Sequence, residues 1–441
     1  MRFLSYLLLL LTTTQVEAVA DLQTQLGQAL PGVSAEIQYV HDEMMQNMRS
    51  GDLDAALAAA SRVVQAVKHD AADDSALLLV QPYANLATLQ MTAADYENAK
   101  TNFNLSIAII ESHKGVFAPE LILPLHGLGM TFTQAGEYSD ATLALRRAQH
   151  ISHRIFGVYT LHQIEMVDQL ANVDLLKGNV LAADQAKKFG LKINEVEYGP
   201  EDPRVVPAIE KLAAYFVSQG NNRDAVLLYR RAVEIIETNF SENDLRLSDP
   251  LLSLGKIGMQ QVDFRSRGEN ALERRQAIIS ESAATDVVDR VQALVDLGDA
   301  YIISNNRKAA AVYRNAWDLI KDKTDFADLR EEIFGTPFRL FPDPKIHKIH
   351  RFPSASTEEL YIDVDFTVRS DGHVSDIEIV DANVPHESQR WLRSAMYHYR
   401  YRPRMVDGEP VVSEKLSLHQ PFMIVKRQTS STPIKFQQGF Q

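Results

Sequence analysis

The sequence predicts a mainly α-helical protein in which a long solenoid of stacked helix pairs is followed by a small α+β domain. The first observation is a repeat: Ala99, Ala141, Ala183 and Ala225 follow one another at intervals of 42 residues. Self-similarity at a period of this length is typical of stacked supersecondary units. The second observation is that apolar residues alternate with polar ones after residue 358, which is typical of half-buried strands.

Composition limits the classes of function. The chain has 441 residues, a formal net charge of −13 and no cysteine, and this length suits two or three domains. The lack of cysteine excludes disulfides, thiolate metal sites and cysteine catalysis. An acidic protein is repelled by phosphates, so we expect no nucleic-acid partner.

Residues 1–20 are predicted to be a signal peptide. Arg2 gives a basic start, Phe3–Leu11 is apolar, and the small residues ending at Ala20 favour cleavage before Asp21. The apolar stretch is much shorter than the roughly 20 residues that a membrane span needs, and no other stretch is apolar enough. We therefore expect an exported, periplasmic protein without a stable membrane span. Retention of this segment as a short uncleaved anchor is the alternative.

Each repeat predicts two antiparallel helices. A small residue lies 12 positions before the key alanine, and an aromatic residue or leucine lies four positions after it, as in Gly129, Ala141 and Leu145. The small residue would let the helices approach, and the large one would fill the space between them. Gly136 and Gly220 fall between the two helices, where glycine can adopt positive φ.

The repeats predict a solenoid over residues 21–330. Weaker copies surround Ala56 and Ala183, and the copy at Ala309 is one residue short in its turn. Another copy is expected near Leu254, but its key position is occupied by Arg267. That unit is predicted to be degenerate or rearranged.

The clearest copy, from Leu128 to Ala148 with Phe132 between them, resembles the tetratricopeptide repeat. The long spacing and the segment Tyr198–Pro203 resemble the variant found in kinesin light chains. This resemblance implies a tetratricopeptide-type α-solenoid whose first helices line a concave groove for proteins or peptides. A plain helical bundle with coincidental spacing is the alternative.

Transferring the register of that family gives a set of groove residues without lysine or arginine. Groove domains that clamp an acidic chain terminus need such cations, so we expect a neutral, polar or basic peptide rather than a carboxylate clamp. The alternative is that this face simply stays solvated. The candidate partner-binding residues are Thr88, His126, Thr133, Gln134, Asp168, Asn172 and Glu210, and Gln81, Ala84, Met91, Met130, Glu165 and Ser218 share their register.

Residues 331–357 are predicted to be a proline-containing linker. Prolines disfavour helix, and the whole stretch from Asp325 to Thr357 shows little helical periodicity. We expect the linker to pack on the end of the solenoid, because four large apolar side chains need burial. These are Phe334, Phe338, Leu340 and Phe341.

The C-terminal region predicts the order strand, strand, helix, strand. Asp371-Gly372 and Asp407-Gly408 are hairpin turns. The predicted elements are strands from Leu360 to Val368 and from Val374 to Val380, a helix from Glu387 to His398, an extended segment from Tyr399 to Met405, and a last strand from Val411 to Phe422.

This order and the block Tyr399–Pro403 resemble the TonB C-terminal domain, over residues 358–426 with a tail at 427–441. The resemblance implies that an edge strand accepts a short peptide of an outer-membrane receptor by strand addition. By position, that strand would run from Val411 to Leu418, so Val411, Ser413 and Lys415 are candidate partner-binding residues.

The family resemblance is incomplete. Its energy-transducing members carry an uncleaved transmembrane helix and a long proline-rich spacer, whereas this chain has a predicted cleavable signal and a solenoid. We therefore expect a periplasmic adaptor that binds proteins or peptides of the cell envelope. An energy transducer acting on outer-membrane receptors is the alternative.

Other residue patterns favour structural interpretations. His347 and His350 have helical metal-ligand spacing, but prolines flank them. Tyr397, Tyr399 and Tyr401 are expected on a core face with the alternating His398, Arg400 and Arg402 in solvent. Asp363 and Asp365 are expected on a solvated face. No phosphate loop, metalloprotease helix or nucleophile elbow occurs. We therefore expect no catalytic residue, metal or cofactor, and no enzyme.

Overall fold

The computed structural model describes residues 30, 32–70, 73–260, 262–340, 348–349 and 360–424. The chain divides into two compact units, residues 1–239 and 240–441. The predicted signal peptide, the predicted tail and the pair His347 and His350 lie outside the described residues. The division falls inside the stretch that the repeats assign to one solenoid.

The first unit consists of helix pairs. The two helices of each pair pack together, and each second helix packs on the first helix of the next pair. The helices are α1 (Ala35–Ser50), α2 (Leu53–Asp70), α3 (Val80–Thr92), α4 (Tyr96–Lys114), α5 (Ile122–Gln134), α6 (Tyr138–Phe156), α7 (Ile164–Leu176), α8 (Val180–Tyr198), α9 (Val206–Ser218) and α10 (Asn222–Asn239).

Turns inside the pairs repeat one backbone conformation. Gly136, Gly178 and Gly220 have φ of 80°, 80° and 75°, which confirms the glycines predicted between the helices. The same position in the α3–α4 pair is Ala94, whose φ is 59°. An alanine pays a steric cost in this left-handed region that glycine does not.

The key alanines mark the helix contacts. Ala99, Ala141, Ala183 and Ala225 are completely buried. A Cβ added at Gly129 would lie 2.6 Å from Leu145 Cγ, so the small residue does face the large residue four positions after the key alanine. The predicted register is confirmed.

The second unit begins with five helices. They are α11 (Ser248–Met259), α12 (Arg265–Glu281), α13 (Val287–Ile303), α14 (Ala309–Asp318) and α15 (Ala327–Phe334). Gly255 faces Leu272, and Gly298 faces Tyr313, as Gly129 faces Leu145 in the first unit.

The unit predicted to be degenerate keeps its helix pair with a shift of one residue. A Cβ on Gly258 would lie 2.8 Å from Gly268 Cα, so the close approach of α11 and α12 occurs at Gly268 rather than at Arg267. The next key residue, Ala309, is buried and lies 41 positions further on. One extra residue in one unit is thus offset by one fewer in the next.

The C-terminal part of the second unit contains the predicted strand-strand-helix-strand order. The elements are β1 (Phe338–Arg339), β2 (Lys348–Ile349), β3 (Leu360–Val368), β4 (Val374–Ala382), α16 (His386–Met396), β5 (Tyr401–Arg402), β6 (Met405–Val406), β7 (Glu409–Pro410) and β8 (Leu416–Ile424). A four-stranded sheet has the order β2-β8-β3-β4, and Leu392 and Met396 of helix α16 join the core with the inward residues of β3.

The linker packs on the helical cluster through Phe334 and Leu340, as predicted, but differs from its prediction in two other respects. Helix α15 occupies the start of the stretch predicted to lack helix, because Ile333 and Phe334 pack into the apolar cluster formed with α13 and α14. Phe338 is 56% exposed, since it lies under the guanidinium of Arg402 at 5.1 Å rather than in that cluster. Phe341 lies outside the described residues.

Candidate functional site

A cavity of about 550 Å³ opens between the first helices of three successive pairs in the first unit. Helices α3, α5 and α7 bring their N-terminal turns together because the pairs stack in register. We call this space the groove cavity. Its lining is Val80, Gln81, Ala84, Ser106, Pro119, Glu120, Ile122, Leu123, Pro124, His126, Ser152, Phe156, Leu161, His162, Glu165 and Met166.

The polar centre of the groove cavity is a histidine beside a carboxylate. His126 Nε2 on α5 lies 3.8 Å from Glu165 Oε1 on α7. His126 is buried, and the Glu165 side chain is 31% exposed, although its Oε1 atom is buried. These two residues come from neighbouring pairs and lie 39 positions apart, so Glu165 is about one helical turn before Asp168, the position equivalent to His126 in the 42-residue register.

Serines and an aromatic pair complete the walls. The Ser106 hydroxyl donates to the Val80 carbonyl oxygen. Ser152 is fully buried, and its hydroxyl has no hydrogen-bond partner among the described residues. At the rim, Phe156 stacks on His162 with 5.0 Å between the ring centroids, and Phe156 is 46% exposed.

A second charged cluster surrounds Asp168, one helical turn after Glu165. Lys187 Nζ lies 2.7 Å from Asp168 Oδ1, and Lys211 Nζ lies 2.8 Å from Oδ2. Burial alone would raise the pKa of Asp168, but the two ammonium groups outweigh it and hold the pKa below its usual value. The predicted register set contains no lysine or arginine, and both partners of Asp168 come from outside it: Lys187 lies on the second helix α8 and Lys211 lies next to Glu210.

The predicted groove residues divide into two groups. His126 lines the groove cavity together with Gln81, Ala84 and Glu165. The others do not line it: the buried Thr88 and Thr133 donate their hydroxyls to the carbonyl oxygens of Ala84 and Gly129, Asn172 is buried, Gln134 and Glu210 are partly exposed, and Met91 and Met130 lie in a small apolar cluster.

The last strand differs from its predicted extent. Strand β8 begins at Leu416, and the preceding residues make contacts inside the second unit. The Val411 amide donates to the Arg404 carbonyl oxygen, and the Ser413 amide donates to that of Val368 at 2.8 Å. Both donors are therefore occupied.

Lys415 lies on the polar face of the sheet rather than at its edge. Its Nζ lies 2.8 Å from Glu378 Oε2 and 3.2 Å from Asp365 Oδ2. Asp363 and Asp365 share this polar face, as predicted. On the neighbouring strand β8, His419 hydrogen-bonds to the Asp363 carboxylate and Ser417 to the Asp365 carboxylate.

The outer edge of β8 still presents backbone groups. The Tyr361 amide donates to the side-chain oxygen of Asn383, and the Asn383 amide donates to the Tyr361 carbonyl oxygen. Both backbone groups of Tyr361 therefore face β4. Its pair with Pro421 of β8 is consequently a pair without backbone hydrogen bonds. By alternation, the amides of Ser417 and His419 face outward. Strand β2 pairs only with Met423 and Ile424, so no described strand covers the edge from Leu416 to Phe422.

A buried ion pair joins the C-terminal region to α13. Arg402 donates to both carboxylate oxygens of Asp299, at 2.9 and 2.7 Å, and the Tyr313 hydroxyl donates to Asp299 at 2.7 Å. Arg402 is buried, so the expectation that the cations of this block lie in solvent is wrong for Arg402. The tyrosine part is confirmed for Tyr399 and Tyr401, which are buried, and wrong for Tyr397, which is 55% exposed.

Metal and membrane features are not found in the described part of the chain. No group of three or more histidine or acidic side chains there could hold a metal ion. None of the described helices is both long and apolar enough to span a bilayer.

No family model and no curated protein matches this sequence. Its structural neighbours are tetratricopeptide-like repeat proteins. It is similar to a protein of kinesin light chain TPR-like repeats from Podosopora anserina, with 17% identity, 47% of this chain and 98% of that chain covered, and a TM-score of 0.40. A TPR repeat-containing protein from Cytophaga hutchinsonii has 14% identity, coverage of 66% and 98%, and a TM-score of 0.43.

A third solved structure is a Rap protein complexed with competence and sporulation factor. It has 14% identity, coverage of 72% of this chain and 85% of that chain, and a TM-score of 0.37. The repeat architecture of the present chain is established by its own helix pairs and their glycine contacts.

Proposed function

We propose that this protein is a non-enzymatic interaction scaffold whose first unit binds a peptide segment of a partner protein in the groove cavity. The observation that supports this most is the meeting of Gln81, Ala84, His126 and Glu165 from three repeats around one cavity of about 550 Å³. Ligand pockets commonly have volumes of about 300–1,000 Å³ and combine apolar walls with a few polar groups. The groove cavity has both features.

Filling the groove cavity tests this proposal. Gln81 is partly exposed on its wall, so Gln81→Trp adds bulk there without replacing an apolar core residue. The matched control is Gln185→Trp, at an exposed position of α8 outside the lining. After crosslinking in cell-envelope extracts, we expect Gln81→Trp to lose partners that wild type and Gln185→Trp both retain. Equal recovery by all three proteins would contradict a role for the groove cavity.

We further propose that the C-terminal region resembling the TonB domain binds a second partner by strand addition to β8. The outward amides of Ser417 and His419 support this proposal, since strand addition uses free donors and acceptors of an edge. His419→Pro removes one outward donor, whereas His419→Ala removes the imidazole and keeps that donor. We expect only the proline variant to lose the partner of this region, with near-UV circular dichroism confirming that both variants remain folded.

The proposed place of action is the periplasm, after removal of residues 1–20, with partners among the proteins of the cell envelope and with outer-membrane receptors as candidates for the β8 edge. Mass spectrometry of the mature N-terminus separates this from the alternative of an energy transducer. A chain that begins at Asp21 supports the adaptor, and an intact chain held at a membrane favours the transducer.

A further inference from the structure

We infer that one edge of the first unit is a docking surface for a membrane that contains anionic lipids. This edge is formed by the loops that follow α4 and α6, together with the exposed side of α6. The inference goes beyond the proposed scaffold function, because it concerns a surface other than the groove cavity and the β8 edge. It follows from the apolar tips of the two loops and from the charge of α6 beside them.

The two loops present the same kind of apolar pair at the same repeat position. Gly115 is followed by Val116–Phe117, and Gly157, 42 positions later, is followed by Val158–Tyr159. Both glycines have a φ of 90°, so the two pairs leave their helices with similar backbone geometry. The four side chains of these pairs are between 46% and 52% exposed, and none of them lines the groove cavity. We call them the loop tips.

Contacts with neighbouring helices support both aromatic tips. The Arg154 guanidinium of α6 lies 4.7 Å from the centroid of the Phe117 ring, and the Tyr159 ring lies 5.8 Å from the Phe189 ring of α8. Arg154 is only three residues before Gly157, so the two loops belong to one continuous surface. Exposed apolar side chains gathered in this way are typical of an interaction site.

The charge beside the loop tips is positive, although the chain as a whole has a net charge of −13. Residues 141–164 contain three arginines and no aspartate or glutamate. Arg146, His150 and Arg154 follow one another at intervals of four and are exposed, which places them along one side of α6. His150 and Arg154 both contact the Phe117 ring, so this basic side borders the loop tips directly.

The acidic residues on either side of the first loop are matched by other cations. The Arg147 guanidinium donates to Glu111, and Lys114 Nζ lies 2.5 Å from Glu120 Oε1. These two carboxylates therefore leave the positive charge on the exposed side of α6 in excess.

An anionic bilayer surface complements this arrangement. Apolar side chains at loop tips can enter the headgroup region, while the cations beside them attract anionic lipids. The acidic remainder of the chain opposes this only weakly, because exposed charges more than about 8–10 Å apart are largely screened at physiological salt. The next loop marks the limit of the surface, since Pro200–Glu201 follows Gly199 where the apolar pairs stand in the first two loops.

Co-sedimentation with lipid vesicles tests the inference. The protein used is the predicted mature chain from Asp21 onward, because Phe3–Leu11 is apolar and would bind lipid by itself. The vesicles contain either phosphatidylcholine alone or an equal mixture of phosphatidylcholine and phosphatidylglycerol. We expect wild type to bind the mixed vesicles at least about tenfold more tightly than the neutral ones.

One pair of variants tests the loop tips. Phe117→Ser combined with Tyr159→Ser should weaken binding to the mixed vesicles by about tenfold or more, because two apolar rings no longer enter the bilayer. The matched control is Leu181→Ser combined with Leu227→Ser, at positions that are 72% and 58% exposed on α8 and α10. This control should bind as wild type does.

A second pair tests the charge. Arg146→Gln combined with Arg154→Gln should weaken binding to the mixed vesicles by about fivefold for each arginine removed and should leave the weak binding to neutral vesicles unchanged. Arg223→Gln combined with Arg230→Gln removes two exposed cations from α10 and should have little effect.

Tryptophan fluorescence reports which part of the surface enters the bilayer. We expect the emission of Tyr159→Trp to shift to shorter wavelength on mixed vesicles and to be quenched by brominated lipid. Leu227→Trp should show neither change. The native Trp317 and Trp391 both lie in the second unit, and wild type gives their background signal.

Two results would overturn the inference. One is a wild type that does not bind the mixed vesicles, and the other is equal binding by wild type and the double variant of Phe117 and Tyr159. If wild type does not bind vesicles and that double variant loses a crosslinked partner protein, the edge is a protein interface instead. None of these results bears on the groove cavity, which Gln81→Trp tests separately.

Discussion

Adding one methyl group to Gly129 should destabilise the first unit, while the same change at Gly190 should stabilise it. Both glycines lie inside helices, at α5 and α8. A Cβ at Gly129 would lie 2.6 Å from Leu145 Cγ and 2.8 Å from its Cδ2, whereas a Cβ at Gly190 has no heavy atom within 4 Å. The two substitutions have the same chemistry and differ only in what the new methyl meets.

The expected magnitudes follow from two opposing terms. Gly→Ala inside a helix gains about 1 kcal/mol from propensity. Overpacking a buried contact costs about 1–3 kcal/mol, and Leu145 is fully buried, so it cannot turn into solvent. Gly190→Ala should therefore gain about 1 kcal/mol, and Gly129→Ala should lose up to about 2 kcal/mol, after its propensity gain is subtracted.

Urea unfolding followed by far-UV circular dichroism measures these changes. Because repeat arrays can unfold in parts, hydrogen exchange in α5 and α6 should accompany it. Leu145→Ala combined with Gly129→Ala should cost less than the sum of the single changes, since the new methyl enters the space that the leucine leaves. If Gly129→Ala stabilises as much as Gly190→Ala, the helix contact that defines the repeat register is refuted.

Three further outcomes are expected. Ala94→Gly should stabilise by about 0.5–1 kcal/mol in urea unfolding, because glycine avoids the cost of φ at 59°; a loss of stability would contradict this. Wild type should have a larger free energy of unfolding than Asp168→Asn. This difference should be full above about pH 4 and should shrink as the pH falls through the lowered pKa of Asp168. A pH-independent difference would count against the ion pairs. Arg402→Met should cost about 3–5 kcal/mol, and adding Asp299→Asn should restore much of it; no restoration would show that charge pairing is not the cause.

The sequence predicts the helix pairs well because their signals are local. Gly129 and Leu145 are 16 residues apart, and each repeat supplies its own small residue, large residue and turn glycine. The shift to Gly268 escapes this reasoning, because a single extra residue moves the key position without changing the type of contact. A search that allowed one-residue shifts around Arg267 would have found it.

The charged parts of the site are less predictable, because their partners come from different elements. Arg402 and Asp299 are 103 positions apart, and neither residue belongs to the repeat pattern. Lys187 pairs with Asp168 from a second helix, and the groove register was transferred only to positions on first helices. The cavity residues Ser152 and Phe156 also lie on a second helix, near its C-terminal end, so transferring only the first-helix positions misses them.

These contacts decide where the chain can be divided for functional work. In the second unit the C-terminal region rests on α13 and α14: Arg402 pairs with Asp299, Arg314 pairs with Glu409, and Met405 enters the helical core cluster. A fragment beginning at residue 358 would leave the Arg402 guanidinium without its carboxylate and would expose the apolar surface around Met405. Loss of partner binding by such a fragment would then report a damaged fold rather than a missing site. A division at residues 239 and 240 keeps all three contacts, so the β8 edge is better tested on the chain from residue 240 onward or on the full-length protein.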